Sequence, residues 1–218
     1  TYIPADETTV DVQMHDRRGH NQQAYLWQYG TPAGLVVFDF QLGRSRDGPR
    51  QFLGQFEGLL QTDGSAAYNH VGGPKLVHAG CWAHARRGFV DAVKLHPGDQ
   101  AAVRIVEQID DLFAIDAEAR APNLDLAARD VLRQERARPL LEVIRGQIET
   151  ARAAVLPASA LGEAVKYTLT FWKRLTRFLE YPELELSTNL TENSMRGIAL
   201  GRKNWIHLGS PRAGAKVA

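Results

Sequence analysis

Three short segments near the start of the chain have the pattern of strands. In the first, apolar and polar residues alternate, and the other two are mostly apolar. The run 8–13 alternates with a period of two, which predicts a half-buried strand. The runs 24–29 and 35–40 are rich in aromatic and branched residues and predict a second and a third strand. The polar segment 14–23, which contains one glycine, is expected to form a hairpin loop between the first two strands.

Helices and strands are then predicted to alternate. Apolar residues recur at helical spacing from Pro49 to Phe56, and proline suits a first helical turn. Short apolar runs at 58–63 and 76–80 predict two more strands, and a helix follows the second of them. This order predicts a mixed α/β sheet with an antiparallel half and a parallel half.

The middle of the chain has the period of helices. Three apolar stripes are spaced for amphipathic helices: 102–113, 140–148 and 161–179. Pro139 is expected to break the chain before the second helix, and Pro182 to end the third. We therefore predict three parts, namely the first part of a sheet core (1–94), a helical insertion (95–185) and a return to the core (186–218).

Composition narrows the class of protein. The 218 residues are 44% hydrophobic and 23% charged, which suits one globular domain or a domain with a large insertion. No run approaches the ~18 apolar residues of a membrane span, and no signal peptide is recognisable. A single cysteine, Cys81, excludes an internal disulfide and suits a reducing cytoplasm. Both ends stop abruptly, so a fragment of a longer protein is expected.

Charge is unevenly distributed along a nearly neutral chain. The formal net charge is +1, which does not by itself indicate a nucleic-acid partner. From Arg196 to the end, however, the charged residues are all basic: Arg196, Arg202, Lys203, Arg212 and Lys216. A basic patch can therefore exist on this protein.

Three acidic residues are candidates for chemistry. Asp63 lies at the carboxyl end of an apolar strand, the edge where ligands bind in open α/β sheets, and its alternative role is to form a turn before glycine. Asp6 is placed at the start of the first strand, where a solvated strand end is the alternative. Glu192 has capping-box spacing from Asn189, so helix capping is its alternative.

Three carboxylates on separate elements meet the requirement of a two-metal site for phosphoryl transfer. Two Mg²⁺ ions ~3.5–4 Å apart stabilise the attacking and leaving oxygens, and Mg²⁺ prefers hard oxygen ligands. The motifs of serine hydrolases, P-loop enzymes and zinc proteases are missing from the sequence. We expect Asp6 and Asp63 on neighbouring strands, with Glu192 on a helix that faces them.

The segment CWAHARRGF at 81–89 is a second candidate site. Cys81 and His84 are spaced like half of a zinc site, but no second cysteine exists, so a free, buried Cys81 is expected. His84, Arg86 and Arg87 begin a predicted helix and could contact phosphates without reading base sequence.

The segment GRKNWIHLGS at 201–210 is a third. Arg202, Lys203 and Trp205 interleave cations with an aromatic ring, which suits contact with a nucleic-acid backbone and base stacking. A solvated basic turn before a strand is the alternative.

Together these segments resemble one family, the insertion-sequence-sixty-six transposases of bacteria. The resemblance rests on four motifs in order, which span nearly the whole chain: PADETTV, LLQTDGSAAY, CWAHARRGF and STNLTENSMRGIALGRKNW. Ser65 and Gly197 depart from the pattern, because relatives usually have an aromatic residue and a proline at these positions.

The resemblance implies a ribonuclease H-like fold and a catalytic triad of Asp6, Asp63 and Glu192. These residues would hold two Mg²⁺ ions, for which Mn²⁺ could substitute. A water would hydrolyse a phosphodiester at the element's end, and the freed 3′-hydroxyl would attack target DNA. The implied partners are element ends and target DNA, further copies of the protein in the active form, and accessory proteins of the element.

Two other functions stay open. A nuclease of the same fold that only hydrolyses DNA would use the same triad. A catalytically decayed DNA-binding remnant would lack activity, although all three acids are intact. The candidate DNA contacts in every case are the following: His84, Arg86, Arg87, Arg196, Arg202, Lys203 and Trp205.

Overall fold

A computed structural model describes residues 1–14, 20–32, 34–120, 124–189 and 207–217. The chain divides into two compact units, one made of Thr1–His78 with Thr188–Ala218 and the other of Ala79–Ser187. None of the helices in these described stretches is both long and apolar enough to cross a membrane.

A mixed sheet of five strands can be traced in the described residues. The strands are β1 (Tyr2–Val12), β2 (Gln22–Gly30), β3 (Val36–Gln41), β4 (Leu59–Gln61) and β5 (Val77–Ala79), and their spatial order is β3-β2-β1-β4-β5. The first three strands are antiparallel to one another, whereas β4 runs parallel to β1. The antiparallel and parallel halves that the sequence predicted are therefore both present.

Alternation of side chains gives this sheet two covered faces. The Asp6 face carries Asp6, Val10 and Val12 of β1 and is covered near Val12 by Leu208. The Trp27 face carries Glu7 of β1 beside Trp27 of β2, and its core includes Leu53 of helix α1 (Asp47–Leu53) and Tyr68 of the 3-10 turn Ala66–Tyr68. β1 and β2 carry apolar side chains on both faces, which is typical of strands that are covered on both sides.

Two sequence-based boundaries in this unit were wrong. β1 begins at Tyr2, so Asp6 lies in the middle of the strand rather than at its start. The helix predicted up to Phe56 ends at Leu53, because Gly54 has a φ of 51° and glycine ends helices in this left-handed conformation.

The second unit is helical. Its helices are α2 (Trp82–Leu95), α3 (Gln100–Ala119), α4 (Leu126–Leu132), α5 (Arg138–Ala154), α6 (Ala160–Thr170) and α7 (Trp172–Leu175). Capping side chains fix the start of α3, where Asp99 accepts from the amides of Ala101 and Ala102, and of α6, where Ser159 accepts from Gly162. Within the described part of 95–185 no strand forms, as the helical stripes predicted.

The break expected at Pro139 does not occur. A π-helical turn, Arg133–Ala137, joins α4 to α5 without interruption, and Pro139 lies in the first turn of α5. Proline lacks an amide hydrogen and its ring crowds the carbonyl four residues earlier, here Glu135, which belongs to the π turn. The wider turn accommodates the ring, so the helical run continues.

The third apolar stripe forms several short elements instead of one helix. It is divided into α6, α7 and a 3-10 turn, Arg177–Leu179. Carbonyl oxygens near the end of α7 accept hydrogen bonds from outside the helix, since Trp82 Nε1 donates to Leu175 O and Gly80 N donates to Arg174 O, both at 2.9 Å. These tertiary bonds compete with continuation of the helix.

The fold is thus a mixed α/β, ribonuclease H-like sheet core with an all-α insertion between Asp63 and Glu192, as predicted. The division into 1–94, 95–185 and 186–218 stays a prediction, while the compact units divide at His78/Ala79 and Ser187/Thr188. A last helix, α8 (Pro211–Val217), packs on β3 within the first unit.

Candidate functional site

Two of the three predicted acids follow the same pair of neighbouring parallel strands. Pro4 of β1 pairs with Gln61, which is the last residue of β4. Asp6 lies two residues further along β1, whereas Asp63 lies two residues beyond the end of β4 and is not part of a strand. The pairing places both acids near the same end of β4, and the convergence of their carboxylates on one metal site stays a prediction.

The buried phenol of Tyr68 lies near three carboxylates. Burial raises the pKa of Tyr68 well above its usual value, and the negative charges of Glu7, Asp6 and Asp63 raise it further. All three carboxylates are therefore close enough to one hydroxyl to act on it electrostatically. Such accumulation of negative charge is typical of a site that binds cations.

Local hydrogen bonds orient the two acids. Asp63 Oδ1 accepts from the amide of Ser65 at 2.8 Å, and Thr62 Oγ1 accepts from the amide of Gly64 at 3.3 Å. Gly64 has a φ of 93°, a conformation that side chains other than glycine rarely adopt. Asp6 Oδ1 accepts from the amide of Glu7 at 2.8 Å. Each carboxylate thus has one oxygen fixed by the backbone.

Buried amide side chains lie beside Asp6. Gln28 is paired with Asp6 across β1 and β2, so both project from the Asp6 face, and Gln28 is fully buried. Gln61, at the end of β4, is also buried and accepts a hydrogen bond from the hydroxyl of Tyr2. The surroundings of Asp6 are therefore polar but shielded, which suits carboxylates that hold a cation.

A second buried acid, Glu7, was not assigned a role from the sequence. Its side chain is 5% exposed on the Trp27 face, and its Oε1 accepts from Arg44 Nη2 at 2.6 Å and from Arg44 Nε at 2.9 Å. Burial raises the pKa of Glu7, the bond from Arg44 lowers it, and the nearby charge of Asp63 raises it. The strand pattern could have revealed this burial. Successive side chains of a strand project from opposite faces, so the residue next to Asp6 lies on the other face, which forms the core.

The CWAHARRGF segment lies in the second unit, at the start of α2. Cys81 is buried and forms no disulfide, as predicted, and Trp82 is fully buried with its ring edge-on to that of Trp172. Arg86 donates to Asp110 of α3 from Nε and Nη2, and Arg87 is exposed. The charge of Arg86 is thus balanced within the unit.

The third acid and most of the basic segment fall outside the described residues. These are Glu192, Arg196, Arg202, Lys203 and Trp205, and their assignments stay predictions. In the part of the chain that the structure describes, no group of three or more His, Cys, Asp or Glu side chains could hold a metal ion.

The chain that follows Glu192 nevertheless returns to the Asp6 face. Leu208 N donates to Asp11 O at 2.7 Å, and Gln13 N donates to Leu208 O at 2.8 Å, which fixes this segment beside the end of β1. The Leu208 side chain packs with Val10 and Val12, on the face from which Asp6 projects. Leu208 thus lies on the sheet face from which Asp6 projects.

Comparison with known proteins gives a match over almost the whole chain. The model of the Transposase IS66 family matches residues 1–216. Two proteins of Sinorhizobium fredii are similar: uncharacterized protein y4qI is 32% identical over 96% of this chain, and uncharacterized protein y4jD is 34% identical over 88% of it. The alignments cover 41% and 38% of those two proteins, so the chain spans about two fifths of their length. No solved structure matches.

Proposed function

Since the chain belongs to the Transposase IS66 family, we propose that it is the catalytic part of a DNA transposase that acts through Asp6, Asp63 and Glu192. Hydrolysis of a phosphodiester at the element's end frees a 3′-hydroxyl. Transfer then joins this hydroxyl to a phosphorus of target DNA and releases the target's own 3′ oxygen. The observation that supports the proposal is that Asp6 and Asp63 each lie two residues beyond the pair Pro4–Gln61 of the neighbouring parallel strands β1 and β4.

The residues present fit a divalent cation. Asp6 and Asp63 offer the hard carboxylate oxygens that Mg²⁺ prefers and Mn²⁺ accepts, and each lies two residues beyond the pair Pro4–Gln61. Glu192 is proposed as the third carboxylate because it belongs to the fourth motif of the family resemblance. When bound, a pair of such ions stabilises the attacking and leaving oxygens of an in-line displacement.

The chain's own contribution is to hold these oxygens in place. The amides of Ser65 and Glu7 each fix one oxygen of Asp63 and Asp6, respectively. Because these bonds are made by the backbone, the carboxylates are positioned before substrate binds, which lowers the cost of reaching the reactive geometry.

DNA is the proposed substrate, and the active form is proposed to be a homo-oligomer that also engages accessory proteins of the element. Arginine and lysine side chains hold DNA by its phosphates without reading bases. The proposed contacts are His84, Arg86, Arg87, Arg196, Arg202, Lys203 and Trp205. Arg86 is the weakest of them, because Asp110 already accepts two of its hydrogen bonds.

A strand-transfer assay with the full-length protein tests the proposal. Labelled element ends and a circular target are incubated with Mg²⁺ or Mn²⁺, and joined products are counted. Asp6→Asn, Asp63→Asn and Glu192→Gln are each expected to lower joining by more than ~100-fold, beyond the loss typical of residues that only support a metal ligand. Asp11→Asn is the matched control, because Asp11 is an exposed acid on the same strand.

Three outcomes are decisive. Joining that survives all three substitutions would overturn the triad. Cleavage of ends without joining in the unchanged protein would identify a nuclease of the same fold, and neither cleavage nor joining would identify a decayed remnant.

A further inference from the structure

We propose that Glu7 and Arg44 form a clamp that positions Asp63 beside Asp6, so that both are positioning residues of the metal site. The inference rests on the proposed function of Asp6 and Asp63. It concerns a second pair of side chains, on the opposite face of the sheet, that neither the motifs nor the family match assigns.

The clamp joins three separate segments of the first unit. Glu7 belongs to β1, next to Asp6, and Arg44 lies in the connection from β3 to α1. Arg44 donates twice to Glu7 Oε1, at 2.6 and 2.9 Å, and its Nη2 also lies 3.4 Å from Ser65 Oγ. Ser65 is the residue whose amide holds Asp63. The guanidinium thus connects the strand that carries Asp6 with the loop that carries Asp63.

Glu7 is much more buried than Arg44, so the carboxylate of Glu7 determines where the guanidinium of Arg44 lies. The side chain of Glu7 is 5% exposed and that of Arg44 is 51% exposed. Glu7 Oε2 is buried and makes no hydrogen bond within the described stretches of the chain. A buried carboxylate needs a charged partner, so Glu7 holds Arg44 in one place, and Arg44 in turn meets the Asp63 loop.

The loop needs such support. Gly64 has a positive φ of 93°, and the segment Asp63–Ser65 lies between the end of β4 and the next helical turn. Within this region the amide of Gly64 donates to Thr62 Oγ1, and the amide of Ser65 donates to Asp63 Oδ1. Ser65 O accepts from the amide of Tyr68 at 3.2 Å, so all three of these bonds join residues no more than three apart in the sequence. Arg44 supplies a contact from 21 residues away, which ties the loop to the sheet. Outer partners of metal ligands commonly affect metal affinity by about 10–100-fold.

Titration of this chain with MnCl₂, by calorimetry or by loss of the free Mn²⁺ resonance signal, tests the clamp. Glu7→Gln and Arg44→Gln are each expected to raise the Kd for Mn²⁺ by about 10–100-fold. Arg44→Lys keeps the charge but cannot donate from two nitrogens, so an intermediate Kd is expected. Arg136→Gln, which removes an arginine from an exposed pair with Glu118, is the matched control and should leave Kd unchanged.

A double variant separates positioning from stability. Glu7→Gln with Arg44→Gln leaves no unpaired buried charge, so its melting temperature should approach that of the unchanged chain while its Mn²⁺ affinity stays low. Recovery of affinity together with melting temperature would show that the pair only stabilises the fold. If Glu7→Gln alone fails to fold, Arg44→Gln and Arg44→Lys decide the matter, because Arg44 is half exposed.

Failure of the clamp and failure of the site give different results. If Asp6→Asn and Asp63→Asn abolish Mn²⁺ binding while Glu7→Gln and Arg44→Gln leave it unchanged, the clamp is wrong and the metal site stands. If Asp6→Asn and Asp63→Asn bind Mn²⁺ as the unchanged chain does, the proposed site itself is wrong.

Discussion

Adjacent residues on β1 serve opposite faces of the sheet. Asp6 projects from the face that carries Gln28, whereas Glu7 projects toward Trp27. Asp6 was selected because PADETTV and three later motifs together resemble one family, and not because of its place in the strand. Glu7 was overlooked because its partner, Arg44, is 37 residues away, and a pairing between distant segments leaves no periodic pattern in the sequence.

Gly64 links the conformation of the Asp63 loop to the proposed site. A side chain at its φ of 93° is strained, so Gly64→Ala should destabilise the first unit by about 1–2 kcal/mol. Because the strain falls on the loop that orients Asp63, we also expect a weaker affinity for Mn²⁺, measured by calorimetric titration.

Gly54→Ala is the matched control for this substitution. Gly54 also has a positive φ, of 51°, and an added methyl group would meet nothing within 4 Å. It should cost similar stability and leave Mn²⁺ affinity unchanged. Equal Mn²⁺ affinities for the two variants would mean that the backbone at Gly64 does not position Asp63.

Among the elements, the π turn between α4 and α5 holds a fully buried arginine. Arg133 donates to Asp116 Oδ1 at 2.6 Å, and the same guanidinium donates to the carbonyl oxygens of Phe178, Pro182 and Leu184 at 2.7–3.1 Å. It therefore ties the helices to the segment that leads toward Glu192. The residue pattern did not predict this role, since a run with many charged residues is typical of a solvated helix face.

Arg133→Met should be severely destabilising. It leaves Asp116 and three carbonyl oxygens without this donor inside the unit, and breaking a buried ion pair in this way costs about 3–5 kcal/mol. Urea denaturation followed by tryptophan fluorescence measures the change. Arg136→Met is the control from the same turn, because Arg136 pairs with Glu118 at the surface, and it should leave the free energy of unfolding close to that of the unchanged chain. Equal effects would show that Arg133 is not the central contact of this turn.

Helical periodicity predicted that the second unit contains helices, but it did not predict where each helix begins and ends. The stripe 161–179 was read as one helix because its apolar residues do face the core, and Leu161, Val165 and Leu175 are buried. What divides it are hydrogen bonds from Gly80 and Trp82 to carbonyls of α7, which come from a distant part of the sequence. Local patterns contain no information about such bonds.

At the scale of the whole chain, strand order decides whether the acids can meet. β1 lies between β2 and β4, so β2 and β3 intervene in the sequence between β1 and its parallel neighbour. Periodicity identified these five strands but could not give their order, because pairing between distant segments leaves no periodic pattern. Glu192 lies outside the described residues, so the third member of the site remains a prediction.

Binding of this chain to DNA should be weak, independent of sequence and sensitive to salt. Its net charge is +1, and the five charged residues from Arg196 to the end are all basic. Phosphate contacts alone give a Kd of roughly 10⁻⁴–10⁻⁶ M at physiological salt, and this affinity falls as salt rises. Reading of bases needs an element placed in a groove, and the sequence shows no helix-turn-helix or zinc-finger pattern.

Removal of two cations from the basic segment tests where DNA binds. Arg202→Ala with Lys203→Ala should weaken binding equally for an element end and a scrambled duplex, and should flatten the dependence of the affinity on salt. Arg136→Ala with Arg145→Ala removes the same charge from exposed arginines that pair with Glu118 and Glu149, so it controls for net charge alone. Titrations at several salt concentrations measure both. Equal losses in the two double variants would mean that net charge, and not the segment after Arg196, governs binding.

A preference for the element end above ~100-fold would place a sequence-reading element within these 218 residues, because non-specific phosphate contacts cannot produce it.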